Sequence, residues 1–198
     1  MGQSGSSSSG LSVVQPLASA FASTPRKLSS QPMSPQSVDP FASYLRQPDA
    51  NSASTDAVAV VNPSTQLSFT LMHNATTPMS VLTVTNKSNC HIVFRVQPAL
   101  YASRYIMDTP QGVLGPGRSA AVAIRLAPAA CDQLLMNGTL DADDFIVEVV
   151  LLVAPPAPAL VAELRTVDLW PQVPAQYRHV PHRVAARFST WTPNANDL

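Results

Sequence analysis

Residues 81–97 read VLTVTNKSNCHIVFRVQ, and residues 104–126 read RYIMDTPQGVLGPGRSAAVAIRL. In the first stretch Ile92, Phe94 and Val96 alternate with His91, Val93, Arg95 and Gln97. In the second, Val122, Ile124 and Leu126 alternate with Ala121, Ala123 and Arg125. A period of two places successive side chains on opposite faces, so each run reads as a strand with one apolar face. Asn86-Lys87-Ser88-Asn89 supplies the turn after Val81-Leu82-Thr83-Val84. Gly115-Pro116-Gly117 supplies a tight reversal before Ala120, and Gly112 is placed to give a positive φ where the chain crosses between sheets.

Outward from this centre the texture persists. Val58, Val60 and Val61 precede Asn62-Pro63, and Leu67 and Phe69 alternate with Ser68 and Thr70. Asn137-Gly138 is a turn signal between Leu135 and Phe145, and Phe145 to Val153 is an apolar run fitting a central strand. Short strands, frequent turns and no disulfide framework predict an all-β protein. Its fold is an immunoglobulin-like β-sandwich of seven strands over residues 56–154. A disordered N-terminal tail (1–55) and a Pro-rich C-terminal extension (155–198) flank it.

The order and spacing of these pieces resemble the major sperm protein (MSP) domain family, which includes the VAMP-associated proteins. An Asp-Pro-x-x-x-Leu-x-Phe segment of the family is matched by Asn62-Pro63 through Leu67-Ser68-Phe69. Its Leu-x-Leu-x-Asn-Pro-Ser segment is matched by Leu82 to Ser88, and its Val-x-Phe-Lys-Val-Lys-Thr strand by Ile92 to Pro98. The Tyr-to-Gly core appears as Tyr105 to Gly117, with the proline (Pro110) closer to Gly112 than in the family. The resemblance covers about residues 57 to 154. It implies a binding module rather than an enzyme.

Well-known relatives bind short acidic, Phe-containing peptides through basic residues on two neighbouring strands. Carried over by position, the contact residues are Arg95 and Gln97 on one strand and Asp144 and Ile146 on the other. Arg95 keeps its basic character, Gln97 stands for a lysine, and Asp144 replaces a lysine with an acid. Asp141, Asp143 and Asp144 together would repel an acidic peptide. The expected ligand of this surface is therefore a neutral or basic peptide.

Composition excludes other classes. The chain has 198 residues and no net formal charge, with only 12% charged residues, so it lacks the electrostatic footprint of a nucleic-acid binder. The 45% hydrophobic content suffices for a core. Cys90 and Cys131 read as free thiols in a reducing compartment. Cys90-His91 is no catalytic dyad, because strand neighbours point apart. His179-x-x-His182 lacks further ligands, so no metal is expected, and no cofactor. There is no convergent set of catalytic groups.

The chain opens Met1-Gly2-Gln3-Ser4-Gly5-Ser6, the pattern for N-myristoylation of Gly2. One acyl chain binds membrane reversibly, and no nearby cysteine or polybasic run adds a second anchor. The tail is rich in Ser, Pro, Ala and Gln and reads as a flexible tether. Its apolar cluster, Asp39-Pro40-Phe41 with Tyr44-Leu45, is either a docking peptide or a piece that packs back on the domain. Neither a secretory signal nor a transmembrane stretch is present, which predicts a cytoplasmic protein at the cytosolic face of a membrane.

Beyond Ala154-Pro155-Pro156-Ala157-Pro158, a helix is predicted over 159–170, with Leu160, Leu164, Val167 and Trp170 on one face. Arg178, His179, His182, Arg183 and Arg187 then read as a basic tail, part of which docks through Phe188 and Trp191. The function expected is a non-enzymatic protein–protein adaptor, binding a protein or short peptide near a membrane. The alternative is a structural or cytoskeletal subunit that self-associates through the MSP-like domain, as relatives in sperm filaments do.

Overall fold

A computed structural model describes residues 41–72 and 77–191. The Gly2 acylation start and the tail before Phe41 lie outside the described residues. Strands and helices are numbered in chain order: β1 (Leu45–Arg46), α1 (Thr55–Val58), β2 (Ala59–Asn62), β3 (Gln66–Leu71), β4 (Met79–Asn86), β5 (His91–Pro98), β6 (Tyr105–Asp108), β7 (Gln111–Leu114), β8 (Ser119–Leu126), α2 (Pro128–Asn137), β9 (Asp143–Leu152), α3 (Pro158–Thr166) and β10 (His182–Thr190).

Two sheets pack face to face. One runs β3-β10-β9-β5-β7, with β1 also on β9; the other runs β2-β4-β8-β6. The chain changes sheet between β2 and β3 at the cis Asn62-Pro63 bond, and again between β6 and β7. Taking each split strand as one and leaving the two-residue β1 apart gives the seven strands of an immunoglobulin-like sandwich.

The alternation read from the sequence is the alternation of burial. Phe69, Leu82, Val84, Ile92, Phe94, Val122, Ile124, Phe145 and Val149 all face the interior at 0–1% exposure. Phe69, Tyr105, Phe145 and Phe188 form an aromatic group in this core, with Tyr105 and Phe145 edge to face at 4.7 Å. Asn86 is one of the buried polar residues. Its amide donates to the Cys90 and Leu114 carbonyls and its oxygen accepts from Ser88, which ties the β4–β5 turn to β7.

Several local expectations change. The positive φ at the second sheet crossing belongs to Thr109 (54°), not Gly112. Gly112 sits on β7 opposite Phe94, where a Cβ would lie 3.3 Å from the ring, so its role is close packing. Asn137-Gly138 does not turn a hairpin; Gly138, at φ 71°, caps α2 in the left-handed region. Pro128 at the helix start and Gly138 past its end are the helix signals for α2 in the sequence.

The larger change concerns the ends. Residues 182–190, within the stretch read as a tail, form β10 in the middle of a sheet. β10 runs parallel to β3 and antiparallel to β9, and Val184 and Ala186 enter the core. Before the main sandwich, Phe41 and Leu45 are buried and β1 pairs with Leu151 and Leu152, so this cluster packs back on the domain. α3 is shorter than the predicted helix and ends at Thr166; Trp170 falls in a separate 3-10 turn.

Candidate functional site

The outer face of the β9-β5-β7 layer carries the four residues carried over from the family pattern. Arg95 lies opposite Glu148 and Gln97 opposite Ile146 in the β5–β9 register. Alternation sends Val93, Arg95 and Gln97 outward from β5, and Asp144, Ile146, Glu148, Val150 and Leu152 outward from β9. An outward Val150 or Leu152 would normally be exposed. Here both are buried, because Phe41 and Leu45 from before the sandwich and residues between β9 and β10 fold over them.

That cover is an apolar layer of its own. Phe41, Leu45, Leu164, Leu169, Trp170 and Val173 pack on Val93, Val150 and Leu152. Fully burying a leucine or valine side chain is worth about 1.5–3 kcal/mol. Leu164, Leu169 and Val173 thus make the cover a fixed part of the fold rather than a flap. His179 pins its far end: its backbone N–H and its ring Nδ1 both reach the Val149 carbonyl, at 3.2 and 3.0 Å.

Arg95 is enclosed at the boundary of this cover. Its guanidinium donates to Glu148 Oε2 at 2.6 Å and to Asp168 at 3.2 Å, and lies 5.0 Å over the Trp170 ring. Gln97 also donates to Glu148 Oε2, at 3.2 Å. The one basic residue of the expected contact set is therefore saturated by two carboxylates and an aromatic ring of its own chain. Sequence reading missed Glu148, Asp168 and Trp170. Glu148 did leave a signal, as the single charge inside the Phe145–Val153 run.

Asp144 and Ile146 sit elsewhere on the same face, beyond the cover. With Ala99, Leu100, Asp143 and Arg183 they line an open groove of about 310 Å³. Asp143 is buried and builds its wall. The carboxylate accepts the backbone N–H groups of Leu100, Tyr101 and Asp144, which fixes the loop after β5. Behind that loop Arg104 stacks on Tyr101 at 3.9 Å and donates to the Asp141 carbonyl. Asp144 faces Arg183 at 3.5 Å, and both are partly exposed. The structure thus joins Arg95 to Gln97 through Glu148, and joins Asp144 to Ile146 in the groove.

Other chemistry-bearing groups are structural. Burial pushes the Cys131 thiol up, with Asp132 adding to the effect, which keeps it protonated. Desolvation, with the nearby Asp143 carboxylate, pushes the buried Tyr105 phenol up. His182 does not join His179: its ring nitrogens face Asp56 at 2.7 Å and the Ser64 carbonyl at 2.7 Å. Among the described residues, no cluster of three or more His, Cys, Asp or Glu is arranged to hold a metal ion. No helix among them is long and apolar enough to cross a membrane.

An immunoglobulin-like sandwich with two sheet-switching strands and an open groove on one outer face is the architecture of a class of domains with protein-interaction or structural roles. The MSP (Major sperm protein) domain family model matches residues 55–160, and the chain belongs to that family. Its fold is similar to that of WR4, a C. elegans MSP family member (14% identity, 67% of this chain and 98% of that chain, TM-score 0.44). It is also similar to SSP-19, an MSP-domain-like protein of Caenorhabditis elegans (16%, 66% and 98%, TM-score 0.44). A further similar structure is the ASH/PapD-like domain 7 of human CEP192 (14%, 76% and 96%, TM-score 0.40). No curated protein matches the sequence.

Proposed function

We propose that this chain is a non-enzymatic interaction adaptor. In this reading its MSP domain takes an extended, non-acidic peptide segment of a protein partner, and myristate on Gly2 holds it reversibly at the cytosolic face of a membrane. The observation that carries the reading is the division of the β5–β9 face. The half around Arg95 is filled by the chain itself, and the half around Asp144 and Ile146 is open. A peptide lying there would set an apolar side chain against Ala99, Leu100 and Ile146. Asp144 and the exposed Asp141 favour a neutral or basic ligand over an acidic one. Arg95 contributes to the fold, not to the ligand.

Selection from a random-peptide display library tests this. Peptides enriched on the wild-type protein are expected to be poor in Asp and Glu and to lose binding to Ile146→Arg. Ile146 is only partly buried, so that variant keeps the fold. Enrichment of acidic aromatic peptides, or binding indifferent to Ile146→Arg, overturns the reading.

A further inference from the structure

We propose that one end of the sandwich, carrying Arg46, Lys87 and Arg118, is a seat for an anionic lipid surface. The inference rests on the membrane half of the reading above, and gives it the second anchor that a single acyl chain needs.

The sequence holds no polybasic run, but the fold assembles a basic cluster from separate segments. β1 brings Arg46, whose Nη1 donates to Cys90 Sγ in the β4–β5 turn at 3.4 Å. Lys87 opens that turn and Arg118 precedes β8. They flank Asn86, whose backbone N–H donates to the Arg118 carbonyl at 2.9 Å. The His91 ring adjoins them: a Cβ on Gly115 would lie 3.4 Å from His91 Nε2 and 3.8 Å from Arg118 Cγ. The two sheets pack about 10 Å apart, about a Debye length, so cations from both act on one surface together.

Arg46, Lys87 and Arg118 are all exposed, and none forms an ion pair among the described residues. Arg95, Arg125 and Arg183, by contrast, each face a carboxylate. Asp49, the acid closest to Arg46 in sequence, accepts the Asn51 and Ser52 N–H groups and the Ser52 hydroxyl instead.

Position selects the occupant. The chain enters the domain at this end: β1 pairs Leu45 with Leu152, and the Tyr44 carbonyl accepts the Val153 N–H. The segment that carries Gly2 therefore joins the fold beside the cations, and a lipid surface is the anionic partner which that segment already brings here. Val153, 60% exposed, adds an apolar tip at the same end. The Asp144–Ile146 groove lies at the other end of β9, whose 10 residues span about 30 Å. A domain seated on lipid through Arg46, Lys87 and Arg118 thus points its groove away from the membrane, where a protein partner reaches it. Each Lys or Arg near an anionic leaflet strengthens binding about fivefold, so three give about a hundredfold. That is too weak to hold the domain alone, and enough to make a marginal acyl anchor stable.

Co-sedimentation of the full chain with phosphatidylcholine vesicles, with and without phosphatidylserine, is the test. It uses both the form acylated by co-expressed N-myristoyltransferase and the unacylated form. Phosphatidylserine is expected to strengthen binding of the acylated form about a hundredfold, a gain lost in ~1 M salt. The unacylated form is expected to bind phosphatidylserine vesicles alone, at about 10 mM lipid. Arg46→Gln, Lys87→Gln and Arg118→Gln together are expected to abolish the gain, to keep the acyl chain's binding to phosphatidylcholine, and to melt as wild type does. Lys87→Gln by itself is expected to cost about fivefold, and Arg187→Gln, on β10, nothing. Failure of acylation removes myristate from the reading above, while the unacylated arm still decides this surface. Equal binding of the unacylated form to both vesicles, or a gain that survives the triple variant, overturns the proposal. So does binding of poly-glutamate that the triple variant loses, without any response to phosphatidylserine, which makes this end a seat for an acidic protein.

Discussion

Glu148 and Arg95 face each other across β5 and β9, and Glu148 Oε2 receives both the Arg95 guanidinium, at 2.6 Å, and the Gln97 amide, at 3.2 Å. The pair is largely withdrawn from solvent, with side-chain exposures of 16% and 13%. Breaking such a pair from one side strands the other charge, whereas replacing both by apolar groups of similar volume is often neutral. Arg95→Met is therefore expected to cost about 2–3 kcal/mol in urea unfolding. Arg95→Met with Glu148→Leu is expected to recover most of that loss. A double variant no better than the single would show that Arg95 acts through Trp170 and Asp168 instead.

Trp170 holds the cover down. It is 3% exposed, beneath Arg95 and among Leu164, Leu169 and Val173. Trp170→Ala is expected to cost about 3–5 kcal/mol, the range for deleting a large buried aromatic. It is also expected to open the 153–181 segment to limited proteolysis while the sandwich core stays resistant. Cleavage at the same rate as wild type would show that the cover is held without it.

The parts of the fold legible in the sequence were those carried by period-two alternation. β3, β5 and β8 show inward Leu, Phe, Ile and Val at every second position, and nothing nearby contradicts them. β10 has the same alternation, with Val184, Ala186 and Phe188 against Arg183, Ala185 and Arg187. Its flanking prolines and basic residues made it read as a tail. Its partner β3 is joined to it in parallel across more than a hundred residues, and no local signal records such a pairing. The site was half legible for a related reason. Position on adjacent strands located Arg95, Gln97, Asp144 and Ile146 on one face. Saturation of Arg95 depends on Asp168 and Trp170, which arrive from a segment with no strand register to fix them.

His179 makes stability depend on pH. Its Nδ1 donates to the Val149 carbonyl, and its Nε2 is buried without a hydrogen-bond partner. Desolvation holds its pKa below the usual histidine range, against the opposing pull of the Val149 bond and Asp49. The unfolded chain therefore takes up this proton first as pH falls. The contribution is complete above about pH 6.5, the unfolded value, and declines as pH drops from there toward the folded pKa. His179→Asn, which offers a side-chain amide in place of Nδ1–H and does not titrate, is expected to flatten melting temperature against pH in that window. An unchanged slope would place the proton elsewhere.

Acylation of Gly2 gives the adaptor reading its membrane. With a C-terminal tag, wild type is expected to carry myristate by mass spectrometry of the N-terminus and to fractionate partly with membranes. Gly2→Ala is expected to be diffuse, since it removes the acceptor of an acyl chain that binds membrane only marginally by itself. Identical distributions of the two forms would remove the lipid from the proposal and leave the interaction surfaces as they are.

The limits of the folding unit follow from β10. It lies between β3 and β9, so removing it leaves two facing edges, on β3 and on β9, without partners. Val184, Ala186 and Phe188 leave the core with it, and Phe188 stacks on Phe69 at 5.7 Å. The cover goes too, since His179 and the Thr55 N–H bond to the Val180 carbonyl fasten it just before β10. A fragment of residues 56–154 keeps every strand read from the sequence, yet it exposes Phe69, Phe145, Val150 and Leu152. It is expected to be insoluble or to lack a cooperative thermal transition. A fragment of residues 41–191 restores β1, the cover and β10, and is expected to melt cooperatively near the full chain's temperature. Cooperative melting of the shorter fragment would mean that the sandwich closes without its seventh strand.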